Sequence, residues 1–246
     1  MISAGETRGD FLLRHLAPVL PVIALLLLLE RTAFDSMISN WFFDPVAGTF
    51  PLRYNSLLEV IGHQWARQVV IVVACCVIAM YLLSYVLSDL KPRRRLLLFL
   101  SLALTLAPLA VVLLKAASIR HCPWSLLEYG GFAQHLSLFD RALPGSSPGH
   151  CFPSGHASGG FCLFAFYFAG LALGSRPLAL AGLWGGFAAG MAFGMVRMGQ
   201  GAHFLSHNLW SAVVCWLVIL ALYAAIIGLP RAVVPAPAPG PSFTRD

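Results

Sequence analysis

Six windows of this chain are too apolar to fold behind a water-facing surface. They fall at about 11–29, 69–88, 96–114, 157–174, 178–196 and 208–228, each near the ~20 residues that cross a hydrocarbon core roughly 30 Å thick. Only 11% of the 246 residues are charged and 59% are hydrophobic, whereas a soluble domain carries about 25% charged residues. Lipid offers no partner to a backbone N–H or C=O, so segments of this length cross it as helices. The expectation is an all-α integral membrane bundle of six transmembrane helices, forming one domain over residues 1–228. A Pro-rich tail, 229–246, is expected to be disordered. The first window follows Arg8 and carries Arg14 near its start but is read as a retained span: no small-x-small cleavage pattern follows it, and the chain continues Glu30-Arg31-Thr32.

Orientation follows from cations in short loops. Lys91, Arg93, Arg94 and Arg95 crowd the connection between the second and third windows, which places that loop and both termini on the cytoplasmic side. The segments 30–68, 115–156 and 197–207 then lie on the outer side, and 30–68 is expected to hold one or two amphipathic helices at the interface. Topology accounts for most of the net charge of +6, so no nucleic-acid partner is needed to explain it. The bilayer is the expected partner. Of the six cysteines, Cys75, Cys76, Cys162 and Cys215 fall within spans and read as small hydrophobes. Cys122 and Cys151 lie in one outer segment, either bonded to each other or as two free thiols.

Acids and bases are unevenly placed. After Asp140 the only carboxylate side chain is Asp246, so the chain beyond Asp140 cannot assemble a paired-carboxylate site. Instead Lys115, Arg120, His121, Arg141, His150, His156, Arg197, His203 and His207 gather near the outer helix ends. Ionisable groups at membrane depth cost about 2.5–3.5 kcal/mol each on insertion scales, and nine in two loops on one face exceed what terminal snorkelling explains. Pro153-Ser154-Gly155-His156 opens the fourth window. Ser at a helix N-cap leaves main-chain N–H groups facing outward and Gly lets a ligand approach them, which suits an anion. His203 and His207, four residues apart, are read as phosphoryl-transfer groups or as metal or haem ligands. The second reading lacks a suitably placed cysteine or carboxylate.

These residues resemble, in order, the three motifs of the type-2 phosphatidic acid phosphatase superfamily, which includes bacterial acid phosphatases and vanadium haloperoxidases. Lys115 is followed after six residues by Cys122-Pro123; Pro153-Ser154-Gly155-His156 matches fully; Arg197 is followed after five residues by His203. The resemblance covers roughly 55–228. It implies an acid-phosphatase/haloperoxidase-like core in the family's bacterial integral-membrane branch, in the inner membrane with the site on the periplasmic face. It also implies that His203 is the nucleophile and His156 the general acid. Lys115, Arg197, Ser154 and the Gly155 amide would hold the phosphate, with no metal or cofactor. Two positions depart from the pattern. Cys122 stands where the family has Arg, and Arg120 is expected to substitute, with His121 the weaker candidate. His207 stands where the family has Asp; it can orient the His203 ring but brings no negative charge. Asp140, Glu128 and Glu59 are candidates to supply that charge, and Asn208 to orient the ring. The implied activity is removal of phosphate from a lipid phosphate or diphosphate through a phosphohistidine. The alternatives are a lipid phosphotransferase and an impaired protein that only binds lipid phosphate.

Overall fold

The computed structural model describes residues 7–141 and 145–229. The expected tail therefore lies, but for Leu229, outside the described residues. Helix dominates. The first span is α1 (Arg8–Leu16) and α2 (Val19–Leu29), broken at Pro18, whose missing N–H and fixed φ interrupt the ladder. The outer segment holds α3 (Phe34–Asn40), a Asp44–Thr49 bridge, and a π-helical stretch Leu58–Trp65 that runs into α4 (Ala66–Leu83). The chain then forms a 3₁₀ turn, Ser88–Arg93, and α5 (Arg94–Ala116). The remaining spans are α6 (Gly155–Phe161) continued by α7 (Ala165–Ala172), then α8 (Arg176–Gly199) and α9 (Leu205–Ile226). Among the described residues, six helical segments are long and apolar enough to cross a membrane: Arg8–Leu29, Ala66–Leu83, Ser88–Ala116, Gly155–Ala172, Arg176–Gly199 and Leu205–Ile226.

The second span stops at Leu83, short of the expected 88, because Arg94 folds back over the helix end. Its Nη2 donates to the Ser84 carbonyl and its Nε to Ser84 Oγ at 3.2 Å, satisfying groups the helix leaves open. The fourth span starts earlier than 157, at the Ser154 cap. The first span is tied into the bundle: Trp216 Nε1 donates to the His15 carbonyl at 2.9 Å, His15 Nε2 lies 3.1 Å from Tyr167 Oη, and Phe11 stacks on Tyr223 at 5.4 Å.

Main-chain contact joins α8 to α6 and α7. Gly182, Gly186, Gly190 and Gly194 recur one turn apart on the buried side of α8. A Cβ on Gly160 would fall 2.3 Å from the Gly190 nitrogen, and one on Gly182 would fall 2.1 Å from the Tyr167 nitrogen. Small residues at such spacing let membrane helices approach closely, where dispersion replaces the hydrophobic drive that lipid removes. A second, smaller core of Phe50, Leu126, Tyr129, Ala133 and Phe204, with Trp124 beside it, caps the end of the bundle where Lys115, Ser154, Arg197 and His203 lie. The cluster Lys91–Arg95 lies at the opposite end of the same helices.

Candidate active site

Four helix ends meet beneath that cap. Lys115 comes from the last turn of α5 and Arg197 from the last turn of α8. Ser154 caps α6, its Oγ accepting from the Ala157 N–H at 3.4 Å. Two further contacts fix this cap against α9: the Ser154 N–H donates to the His207 carbonyl at 3.1 Å, and Ser211 Oγ donates to the Ser154 carbonyl at 2.9 Å. The turn that opens α6 and the start of α9 are thereby one unit, which sets Gly155 and His156 opposite His203.

One cavity of about 720 Å³ is lined by Lys115, Gly155, His156, Arg197 and His203. Five of the eight expected site residues therefore share it. Arg67, from the first turn of α4, lines it as well; no motif marked that residue. Away from these groups the lining turns apolar and runs between α4 and α5, through Val70, Ile71, Ala74 and Ile78 on one side and Leu104, Pro108 and Val112 on the other. Pro108 cannot donate to the Leu104 carbonyl, so the helix wall is weakened where the cavity enters it.

His203 is buried. Its Nδ1 lies 3.4 Å from His207 Nδ1 and 3.7 Å from Cys151 Sγ. With Nδ1 so engaged, Nε2 is the ring nitrogen left for chemistry in the cavity. Burial, then the charges of Lys115, Arg197 and His156, push the basicity of His203 well below that of an ordinary imidazole. The Cys151 carbonyl, accepting from the ring, works the other way. A neutral ring that donates Nδ1–H keeps its lone pair on Nε2, as a nucleophile requires. His156 Nε2 lies 2.9 Å from the Gly62 carbonyl in the π-helical stretch. Arg197 Nη1 donates to Gln200 Oε1 at 2.7 Å and pairs with Glu59 at 3.4 Å, and its guanidinium lies 5.7 Å from the Trp124 ring.

The other three expected residues lie elsewhere. Ser154 is a fully buried cap and does not line the cavity. His207 stands behind His203 and also stays out of the cavity; its Nε2 is buried without a hydrogen-bond partner. Arg120, expected to replace the missing motif arginine, does not reach back. It pairs with Glu30 at 2.9 Å, both side chains buried, and stacks 4.6 Å from the Phe152 ring. It lines a separate cavity with Trp210 and Val214. A buried guanidinium needs its counter-charge, and Glu30 at the end of the first span supplies it. Cys122 forms a disulfide with Cys151, tying the first motif to the second. None of the three acids expected to support His203 is bonded to it. Glu59 pairs with Arg197 and Glu128 with His135 at 3.3 Å, while Asp140 accepts from the Ser137 N–H at 2.7 Å. Asn208 is buried with its amide unpartnered.

A family model, the PAP2 superfamily, matches residues 96–229, more than half of the chain, and the chain belongs to that superfamily. It is thereby a multi-pass membrane protein of an all-α fold, of lipid-phosphatase type. No curated protein and no solved structure matches the sequence significantly.

Proposed function

We propose that this protein removes a phosphate from a lipid phosphate or lipid diphosphate, through a phosphohistidine on His203. The observation that carries the reading is the two-part cavity: cations and imidazoles at one end, an apolar trough between two membrane helices at the other. A headgroup fits the first and a hydrocarbon tail the second. His203 Nε2 attacks phosphorus in line with the leaving oxygen, and His156 protonates that oxygen as it departs. Lys115, Arg67, Arg197 and the Gly155 N–H bear the charge that spreads over the equatorial oxygens. Arg197 uses Nη1 for its protein partners, which leaves Nε and Nη2 for a two-point grip on phosphate. Water activated by His156 then hydrolyses the phosphohistidine. His207 keeps His203 in the useful tautomer. Ser154 acts through the shape of the cap, and Arg120 holds the loop that carries the disulfide.

The motif end faces the outer side of a bacterial inner membrane in this reading, with both termini cytoplasmic, since Lys91, Arg93, Arg94 and Arg95 mark the other end. The test is inorganic phosphate released in detergent from phosphatidic acid, phosphatidylglycerol phosphate, a polyprenyl diphosphate or lipid A. Wild type is expected to turn over at least one of them and His203→Ala none. Binding of these lipids with no turnover of any, or an unchanged rate in His203→Ala, overturns the reading.

A further inference from the structure

In sequence, His203 and His207 have no cysteine near them; in the fold, Cys151 reaches them from 52 residues away. One donor atom from each of the three buried residues lies within 4.8 Å of the others. A tetrahedral zinc ion with bonds of about 2.0–2.1 Å to nitrogen and about 2.3 Å to sulfur sets N···N edges of about 3.3 Å and N···S edges of about 3.5 Å. Here the Nδ1···Nδ1 distance is 3.4 Å and the Sγ···Nδ1 distance 3.7 Å. Two edges of such a tetrahedron are already built. What withholds the sulfur is its bond to Cys122.

We propose that reduction of Cys122–Cys151 opens a zinc site formed by both thiolates and by Nδ1 of His203 and of His207. A dithiol or phosphine reductant donates two electrons to the S–S bond, and each sulfur takes one proton. The freed sulfurs retreat to about 3.8 Å, the S···S edge of the same tetrahedron. On metal binding the thiols release their two protons to solvent, and two thiolates neutralise the dication beside Lys115 and Arg197. Two sulfurs and two imidazoles in a tetrahedron select zinc over harder divalent ions. Coordination through Nδ1 moves the neutral ring's proton onto Nε2. Where the phosphatase reading holds, this removes the lone pair that attacks phosphorus, and the bound ion switches the enzyme off.

The test uses the full chain in detergent with cobalt(II) as the spectroscopic stand-in for zinc. After treatment with a trialkylphosphine and removal of excess metal, wild type is expected to hold one cobalt per chain with sulfur-to-metal charge-transfer absorption. Untreated wild type is expected to hold none. Cys122→Ser, which frees the Cys151 thiol without a reductant, is expected to show about half that absorption untreated, and His207→Ala to lose it. Equal cobalt in reduced and untreated wild type overturns the proposal, as does binding that survives His207→Ala. Zinc is further expected to abolish phosphate release from reduced but not from untreated enzyme. A protein that binds cobalt as described yet releases no phosphate sinks only the phosphatase reading.

Discussion

Substituting His207→Asp restores the carboxylate that the superfamily pattern has and this chain lacks. The oxygen of an Asp side chain and Nδ1 of His stand the same number of bonds from Cβ. A carboxylate oxygen introduced at position 207 therefore falls about 3.4 Å from His203 Nδ1, where His207 Nδ1 now lies. At an effective dielectric constant of about 20, a negative charge at that distance favours an imidazolium by about 5 kcal/mol. Burying the carboxylate and imperfect approach offset roughly half. The remaining ~2–3 kcal/mol, at about 1.4 kcal/mol per decade, raises the rate of phosphohistidine formation about 30- to 150-fold. The assay is single-turnover phosphate release against pH. Protonated His203 cannot attack, and its basicity in the wild type lies well below the ordinary imidazole value of 6.5. Wild type therefore keeps kcat/KM as pH falls past 6.5 and loses it only through that lower value. A carboxylate raises the value, so the acid limb of the variant moves to higher pH. A folded variant that is slower, or whose acid limb does not move up, refutes the assignment of His207 to the carboxylate's place behind the nucleophile.

Three other outcomes are expected. Arg67→Ala removes a cation from the cavity, and charge-assisted hydrogen bonds are worth about 1.5–3 kcal/mol, so kcat/KM falls about 10- to 100-fold with Tm unchanged; Arg67→Lys retains part of the activity. Arg120→Ala strands the Glu30 carboxylate and lowers stability by about 3–5 kcal/mol, read as Tm, and Glu30→Gln in the same chain recovers part of it; a raised KM with unchanged Tm would instead make Arg120 a phosphate ligand. Gly160→Ala drives a methyl against the Gly190 main chain and destabilises the bundle by about 1–3 kcal/mol, whereas Gly185→Ala on α8, where a Cβ meets nothing within 4 Å, leaves Tm unchanged.

The six spans were legible because each is a local run of apolar residues, and the motif residues because their order and spacing are local too. The misses are tertiary. Nothing near Arg120 marks Glu30, 90 residues away, as its partner. Arg67 belongs to no motif and enters the cavity only through the packing of α4 on α5. The Cys122–Cys151 bond was one of two open readings, and only the return of the chain to the α6 cap decides it. The four glycines of α8 are a different case: their spacing of one turn is plain in the sequence, but only the packing of α6 and α7 shows that two of them meet main chain. Span ends shifted wherever a side chain, Arg94 or Ser154, closed a helix that hydropathy alone leaves open.

Where α6, α7 and α8 touch through main-chain atoms, no side-chain rotamer is available to absorb a displacement. His156 and Arg197 are therefore carried on what amounts to a single stiff plate. Lys115 and Arg67 ride instead on the two helices that border the trough. In the proposed reaction, a bulkier or straighter hydrocarbon wedged there shifts the two cations that grip the phosphate and leaves His156 in place, so tail preference is expected to enter kcat/KM through the phosphate grip and not through proton delivery.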